Sequence, residues 1–69
     1  MMDMKLQING EARDVPSVAN VRELLQALEI AESRVAIEVN GKIVRRADWD
    51  ATPIADLDKI EIVQFVGGG

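Results

Sequence analysis

The stretch that decides the fold is IEIVQFVGGG, residues 60–69. Isoleucine at alternate positions, Ile60 and Ile62, is typical of a strand that buries one of its faces. The pattern predicts that this strand runs to Phe65 and lies in the middle of a sheet. The glycines that follow it make the end of this strand the first candidate for a functional site.

The glycine run predicts a mobile tail, because residues without side chains leave the backbone unrestricted. We expect residues 1–66 to fold as one domain, and the tail, Gly67, Gly68 and Gly69, to be slim enough to thread into a narrow channel of a partner enzyme. The plain alternatives are a flexible terminus without a role and a cloning remnant. The position of the glycines, directly after a strand, favours the threading interpretation.

Two Asn-Gly pairs, at 9–10 and 40–41, predict hairpins, since both residues accept the positive φ of a two-residue turn. Alternating apolar residues predict strands over Met4–Ile8, Glu11–Val15, Val35–Val39 and Lys42–Arg45. In the second hairpin, Val44 falls opposite Ile37 on a shared core face. The first hairpin is less regular.

In that first hairpin, a two-residue turn places Glu11 and Arg13 on the core side of the sheet. Charged side chains on a buried face are unfavourable, and a longer loop would move them away from it by shifting the register. The other solution is a strand at the sheet edge, where both side chains reach water.

The segment after Pro16 predicts a short amphipathic helix from Val21 to Leu28. Asn20 is a preferred N-cap residue, and Glu23 stands three positions on, which is the spacing of a capping box. Apolar side chains recur with helical spacing along one face: Val21, Leu24, Leu25 and Leu28. A helix this short is unstable alone, so it is expected to pack on the sheet.

The order of elements is strand, strand, helix, strand, strand, an irregular crossover over 46–54, a turn at 57–59 and a last strand. This order predicts an α+β fold: a mixed sheet of four to five strands with one helix packed across one face and a flexible C-terminal tail.

The last strand also predicts a contact surface. If Ile60 and Ile62 face the core, Val63 and Phe65 face the opposite side. With Val66 they would form an exposed apolar patch beside the tail, of the kind that marks a partner interface. The alternative is that the strand twists near its end and Phe65 folds back over the core.

The crossover contains the only tryptophan, Trp49. A lone tryptophan in a small domain is more often a lid on the core than a platform for a ligand, so we expect it to be buried. Arg45 and Arg46 are expected to be solvated or to pair with Asp48 and Asp50.

Composition narrows the classes of partner that this chain could bind. Twelve acidic residues against eight basic ones give a net charge of −4, without the basic face that nucleic acid requires. An acidic chain is better suited to a basic surface on a protein partner. No apolar run approaches the ~20 residues that span a bilayer, and no signal-peptide pattern is present, so we expect neither nucleic acid nor membrane as partner and a cytoplasmic location.

Histidine, cysteine and tyrosine are absent, which excludes serine-type and cysteine-type nucleophilic catalysis. The aspartates Asp48, Asp50, Asp56 and Asp58 do not follow the calcium-loop pattern, because no glycine stands at the central turn. No glycine-rich loop joins a strand to a helix, so a bound nucleotide is not expected. These absences predict a carrier or binding protein without a metal or cofactor of its own.

With these elements in place, the chain resembles the ubiquitin-like β-grasp proteins and, more narrowly, is similar to the ThiS family of sulfur carriers in thiamine biosynthesis. The resemblance covers nearly the whole chain, and its most specific part is the ending, residues 60–69. It also rests on residues 6–10, 21–28 and 39–44 and on Arg46 and Trp49.

The resemblance implies a mechanism. An adenylyltransferase of the ThiF type uses ATP to convert the Gly69 carboxylate to an acyl adenylate. A sulfur donor system then displaces AMP and leaves a terminal thiocarboxylate, from which a thiazole synthase of the ThiG type takes the sulfur. Gly67 and Gly68 thread the tail into the enzyme.

Two other functions remain open. The small subunit of molybdopterin synthase uses the same terminal chemistry, although its members tend to be longer and to end in two glycines after a polar stretch. A β-grasp interaction module without a carrier role would leave the tail inert and would not need Gly69.

Overall fold

The computed structural model describes residues 3–65, which form a five-stranded mixed sheet with one helix across one face. The strands are β1 (Asp3–Ile8), β2 (Glu11–Pro16), β3 (Val35–Val39), β4 (Lys42–Val44) and β5 (Lys59–Gln64). The helix α1 spans Val21–Ala27, and a single 3₁₀ turn spans Arg46–Asp48 in the crossover. The predicted α+β fold is confirmed, and it is the ubiquitin-like β-grasp fold.

Strand β5 lies in the middle of the sheet, as its sequence predicts, because the strand order is β2-β1-β5-β3-β4. It runs parallel to β1 and antiparallel to β3. The strand begins one residue earlier than predicted, at Lys59, because the turn before it closes between Ala55 and Asp58, with the Asp58 N–H donating to the Ala55 carbonyl at 3.1 Å.

Both Asn-Gly pairs form the predicted two-residue turns. Asn9 and Gly10 have φ of 50° and 84°, and Asn40 and Gly41 have φ of 51° and 85°, the left-handed pair that type I′ hairpins require. Strands β3 and β4 pair with Ile37 opposite Val44, as predicted.

Of the two alternatives for the first hairpin, the structure shows the two-residue turn with its second strand at the sheet edge. Leu6 pairs with Arg13 and Ile8 pairs with Glu11, so the longer loop is the wrong solution. Because β2 is an edge strand, Arg13 and Glu11 are exposed to solvent although they lie on the helix side, and only Val15 of β2 is buried.

The helix is capped as its sequence predicts, with one difference in the capping box. The Asn20 side-chain oxygen accepts from the Glu23 N–H at 2.9 Å, but the Glu23 carboxylate accepts from the N–H of Ala19, one residue before the usual position. The last helical residue is Ala27, one earlier than predicted. The chain leaves the helix there through Glu29, which has φ of 58°.

The core lies between α1 and the sheet. The Trp49 side chain is 1% exposed and its Nε1–H donates to the Val44 carbonyl at 3.1 Å, so the prediction of a buried lid is confirmed. The buried apolar residues are Leu6, Ile8, Val15, Val21, Leu24, Leu25, Ile37, Val39, Trp49, Ile54, Ile60 and Ile62. Within residues 3–65, no helix has the length and apolar character needed to cross a bilayer.

Candidate functional site

The face of the sheet opposite α1 carries exposed apolar side chains near the end of β5. Val63 is 53% exposed and lies opposite Ala36 of β3, while Ile43 of β4 is 75% exposed. Phe65 follows the strand directly and is 58% exposed. We call the four residues Val63, Phe65, Ala36 and Ile43 the outer patch.

The predicted orientation of Val63 and Phe65 is therefore confirmed, and the alternative, in which Phe65 folds back over the core, is wrong. The reason is that the sheet pairing continues beyond β5: the Phe65 N–H donates to the Arg34 carbonyl at 2.8 Å. This bond keeps the strand alternation in register. Ile43 was not predicted, although its position beside Val44 required it to point outward.

Two carboxylates lie beside the outer patch. Glu38 of β3 stands directly opposite Glu61 of β5, and Ile43 of β4 stands opposite Glu38. Like charges directly across two strands weaken a sheet. Within the described part of the chain, residues 3–65, neither glutamate forms an ion pair.

The turn before β5 presents another exposed apolar residue on this side of the sheet. Leu57 is 74% exposed and has φ of 72°, a conformation that leucine rarely adopts. Its N–H donates to the Lys5 carbonyl at 2.6 Å, which holds the turn against β1. Sequence reasoning missed Leu57, because the turn lacks the glycine or asparagine that usually marks a positive φ.

The asparagines of both hairpin turns bind β5 through their side chains. Asn9 accepts from the Ile62 N–H at 2.7 Å and donates to the Ile62 carbonyl at 3.1 Å. Asn40 accepts from the Lys59 N–H at 2.9 Å and donates to the Asp58 carboxylate at 3.1 Å. The strand that leads to the glycines is thus held near each of its ends.

The other charged cluster lies at the crossover. The predicted pairing of Arg45 or Arg46 with Asp48 or Asp50 is wrong: Asp50 pairs with Arg22 of α1 at 2.6 Å, and Arg46 lies 3.9 Å from Glu32. The chain brings Arg22 to Asp50 because α1 packs beside the crossover. The other expectation, solvation, is confirmed, because both Arg45 and Arg46 are exposed.

This cluster covers the tryptophan. The guanidinium carbons of Arg22 and Arg46 lie 5.6 and 5.8 Å from the centroid of the Trp49 ring, within the range of cation–π attraction. Hydrogen bonds to Asp50 and then to Glu32 raise the pKa of Arg22 above its usual value. Arg22 therefore stays charged, and its ion pair with Asp50 and its contact with Trp49 join α1 to the crossover.

Three of the four aspartates that invite a metal interpretation have structural partners, and one of them is Asp50 in its ion pair with Arg22. Asp56 accepts from the Lys5 N–H at 2.6 Å and Asp58 from the Ala55 N–H at 2.8 Å. Among residues 3–65, acidic side chains are not grouped in a way that could hold a metal ion.

The remaining predicted site residues, Val66, Gly67, Gly68 and Gly69, lie outside the described residues. Their roles in contacting a partner, threading and carrying sulfur stay predictions. What the structure places is the strand that leads to them, with Val63 and Phe65 on the open side of the sheet.

The fold and this open face define the chain as a ubiquitin-like β-grasp domain. The family model described as the ThiS family matches residues 6–69. The crystal structure of a thiamine biosynthesis protein (ThiS) from Geobacter metallireducens is 40% identical, with a TM-score of 0.80, and the match covers 96% of this chain and 100% of that one. The chain belongs to the ThiS family, the sulfur carrier proteins of thiamine biosynthesis.

Two curated relatives differ in length. The sulfur carrier protein ThiS of Bacillus subtilis is 32% identical over 65 residues, which are 93% of this chain and 98% of that protein. A thiazole synthase of Paramagnetospirillum magneticum is 42% identical over 66 residues, which are 96% of this chain but only 20% of that protein. The chain therefore spans about a fifth of the length of this second relative.

Proposed function

We propose that the chain carries sulfur as a thiocarboxylate on Gly69 and delivers it to a thiazole synthase. The observation that carries the proposal is that β5, the central strand, ends beside the exposed side chains of Val63 and Phe65, at the point where the sequence continues to three glycines. Membership of the ThiS family supports the same function, since members of this family are carriers rather than catalysts.

The chemistry requires an activated carboxylate, because a carboxylate is a poor electrophile without a good leaving group. One oxygen of the Gly69 carboxylate attacks the α-phosphorus of ATP, and pyrophosphate leaves. A sulfur donor at the oxidation level of sulfide then attacks the acyl carbon, the bond to AMP breaks, and a thiocarboxylate remains. ATP belongs to the activating partner, an adenylyltransferase of the ThiF type, and this chain binds no cofactor of its own.

The glycines suit this chemistry for a steric reason. Gly67 and Gly68 let the tail enter a channel too narrow for side chains, and Gly69 offers no hindrance to attack at its carbonyl carbon. The chain contains no cysteine, so no internal thiol competes with the sulfur donor for the acyl adenylate.

The outer patch is the proposed docking surface for the adenylyltransferase. Val63 and Phe65, together with Val66, provide the apolar contact next to the tail, and Ile43 extends it across β4. The facing pair Glu38 and Glu61 favours a partner with basic side chains at the matching position, since such a partner would relieve their repulsion.

The receiving partner is proposed from a relative. In the Paramagnetospirillum magneticum protein, the region similar to this chain belongs to a polypeptide named a thiazole synthase. A carrier and an acceptor that share one polypeptide are in a position to act on each other, which supports a thiazole synthase as the receiving partner of this chain.

The experiment that tests the proposal is measurement of the intact mass after loading. The chain is incubated with a ThiF-type enzyme, ATP and hydrosulfide, with a reaction lacking ATP as control. We expect a mass increase equal to exchange of one oxygen for sulfur, located at Gly69 by fragmentation, and no increase after deletion of Gly69.

An unchanged mass, with an enzyme that loads a known carrier in parallel, would contradict the carrier function and leave an interaction module. The loaded chain is then offered separately to thiazole synthase and to the large subunit of molybdopterin synthase. Transfer to the second alone would place the carrier in molybdopterin synthesis instead.

A further inference from the structure

The side chain of Asn9 takes part in the sheet in place of a backbone peptide unit. Strand β1 pairs with β5 only from Gln7 opposite Lys59 to Ile8 opposite Ile60. The Asn9 N–H still donates to the Ile60 carbonyl at 2.9 Å, and there the backbone turns away into the hairpin. The next residue of β5 that faces β1, Ile62, is bound by the Asn9 side-chain amide, which uses its carbonyl oxygen as acceptor and one N–H as donor, as a peptide unit would.

This contact decides how the end of β5 is held. Beyond Ile60, residues 61–64 of β5 are paired to β3 alone, opposite residues 38–35. Among residues 3–65, the two bonds from Asn9 are the last ones to β5 on the β1 side, and they are partly shielded from water. They fix Ile62, which stands next to Val63 of the outer patch.

Asn40 is an internal comparison for Asn9. It occupies the same position in the second Asn-Gly turn, with nearly the same φ, 51° against 50°. Its side chain binds the opposite end of β5, at Lys59, and those bonds are exposed to solvent. The two asparagines therefore share turn chemistry and differ in which end of the strand they hold.

We propose that Asn9 is a positioning residue for the loading reaction: it holds the end of β5 in the paired conformation in which Val63 and Phe65 meet the activating enzyme. This inference rests on the proposed function. When the binding-competent conformation is only partly populated, the apparent affinity falls by that fraction. Loss of the Asn9 side chain should therefore raise KM for the carrier and leave kcat of the enzyme nearly unchanged.

The test compares Asn9→Gly with its matched control, Asn40→Gly. Glycine accepts the positive φ at both positions, and Gly-Gly also forms this type of turn, so both variants are expected to fold. The measurements are KM and kcat for adenylation of each carrier, together with amide hydrogen exchange of Ile62 and Lys59 in the free protein.

For Asn9→Gly we expect KM to rise about tenfold, the effect of two net hydrogen bonds, with kcat changed by less than about twofold. The Ile62 amide should exchange faster. For Asn40→Gly we expect faster exchange at Lys59 and KM close to that of the wild type. Asn9→Asp keeps the acceptor for the Ile62 N–H and loses the donor, so its KM should lie between those of wild type and Asn9→Gly.

Equal KM values for Asn9→Gly and Asn40→Gly, with a wild type that is loaded normally, would overturn the role of Asn9 and leave the proposed function intact. A fall in kcat without a change in KM would also overturn it. A wild type that is not loaded at all would overturn the proposed function, and the positioning role with it.

Discussion

The two faces of the sheet are built from the same strands and meet different surroundings. On β5, Ile60 and Ile62 are 0% and 8% exposed beneath α1, whereas Val63 on the other face is 53% exposed and Phe65 just beyond the strand is 58% exposed. Burial of the inner residues accounts for the stability of the fold. The outer residues contribute little to it, and exposed apolar residues of this kind are typical of a surface that binds another molecule, as proposed above.

The largest expected effect is on the inner face. We predict that Ile60→Ala lowers the free energy of unfolding by about 3 kcal/mol, because it leaves a cavity at a fully buried position. A domain of this size has only about 5 kcal/mol to lose, so about 2 kcal/mol should remain and the unfolded fraction should rise to about 3%. Urea denaturation followed by circular dichroism measures the change.

The control for that variant lies three residues further along the same strand. Val63→Ala should change the free energy of unfolding by no more than about 0.5 kcal/mol, as for other exposed positions. A loss comparable with that of Ile60→Ala would mean that the outer face is part of the stabilising core.

The next effect concerns association through the outer face. We predict that Phe65→Ala raises KM for adenylation about 30-fold, or about 2 kcal/mol, because an exposed aromatic residue beside the reactive end is a typical interface anchor. Its urea midpoint should stay that of the wild type. Gln26→Ala, on the exposed side of α1, is the control and should leave KM unchanged; equal KM values for the two variants would contradict docking through Phe65.

The smallest effect concerns the strained turn at Leu57. We predict that Leu57→Gly raises the free energy of unfolding by about 0.5–1 kcal/mol, since a left-handed conformation costs an L-residue about 1–2 kcal/mol and glycine entropy offsets part of the gain. Thermal and urea denaturation would both register the change.

A variant of opposite sign checks this interpretation. Gly41 has φ of 85° and no atom within 4 Å of the place where a Cβ would stand, so Gly41→Ala tests conformational strain alone. It should destabilise the fold by about 1 kcal/mol. If Leu57→Gly were also destabilising, packing of the Leu57 side chain would outweigh the strain of its backbone.

The parts of the fold that follow from local chemistry were predictable from sequence. The Asn-Gly pairs, the capping residue Asn20 and the alternation along β5 each depend on residues close together in the chain, and each prediction was confirmed apart from shifts of one residue at element ends. The Glu23 carboxylate caps Ala19 in place of Asn20. The same alternation correctly placed Val63 and Phe65 on the open face.

The features that sequence reasoning missed depend on residues far apart in the chain or on backbone conformations that no local residue type indicates. The Asn9 amide meets Ile62, which is 53 positions away, and Arg22 meets Asp50, which is 28 positions away. Only the folded sheet brings these groups together. Leu57 adopts a positive φ that no turn residue signals, because bonds from its neighbours Asp56 and Asp58 hold the loop.

The burial of Trp49 gives the molecule an optical property. The chain has one tryptophan and no tyrosine, and the indole is 1% exposed, with Arg22 of α1 over its ring. Its fluorescence emission should therefore lie at short wavelength in the folded state and move to longer wavelength on unfolding. Because Trp49 is packed in the core and does not belong to the outer patch, intrinsic fluorescence would report folding and remain insensitive to docking.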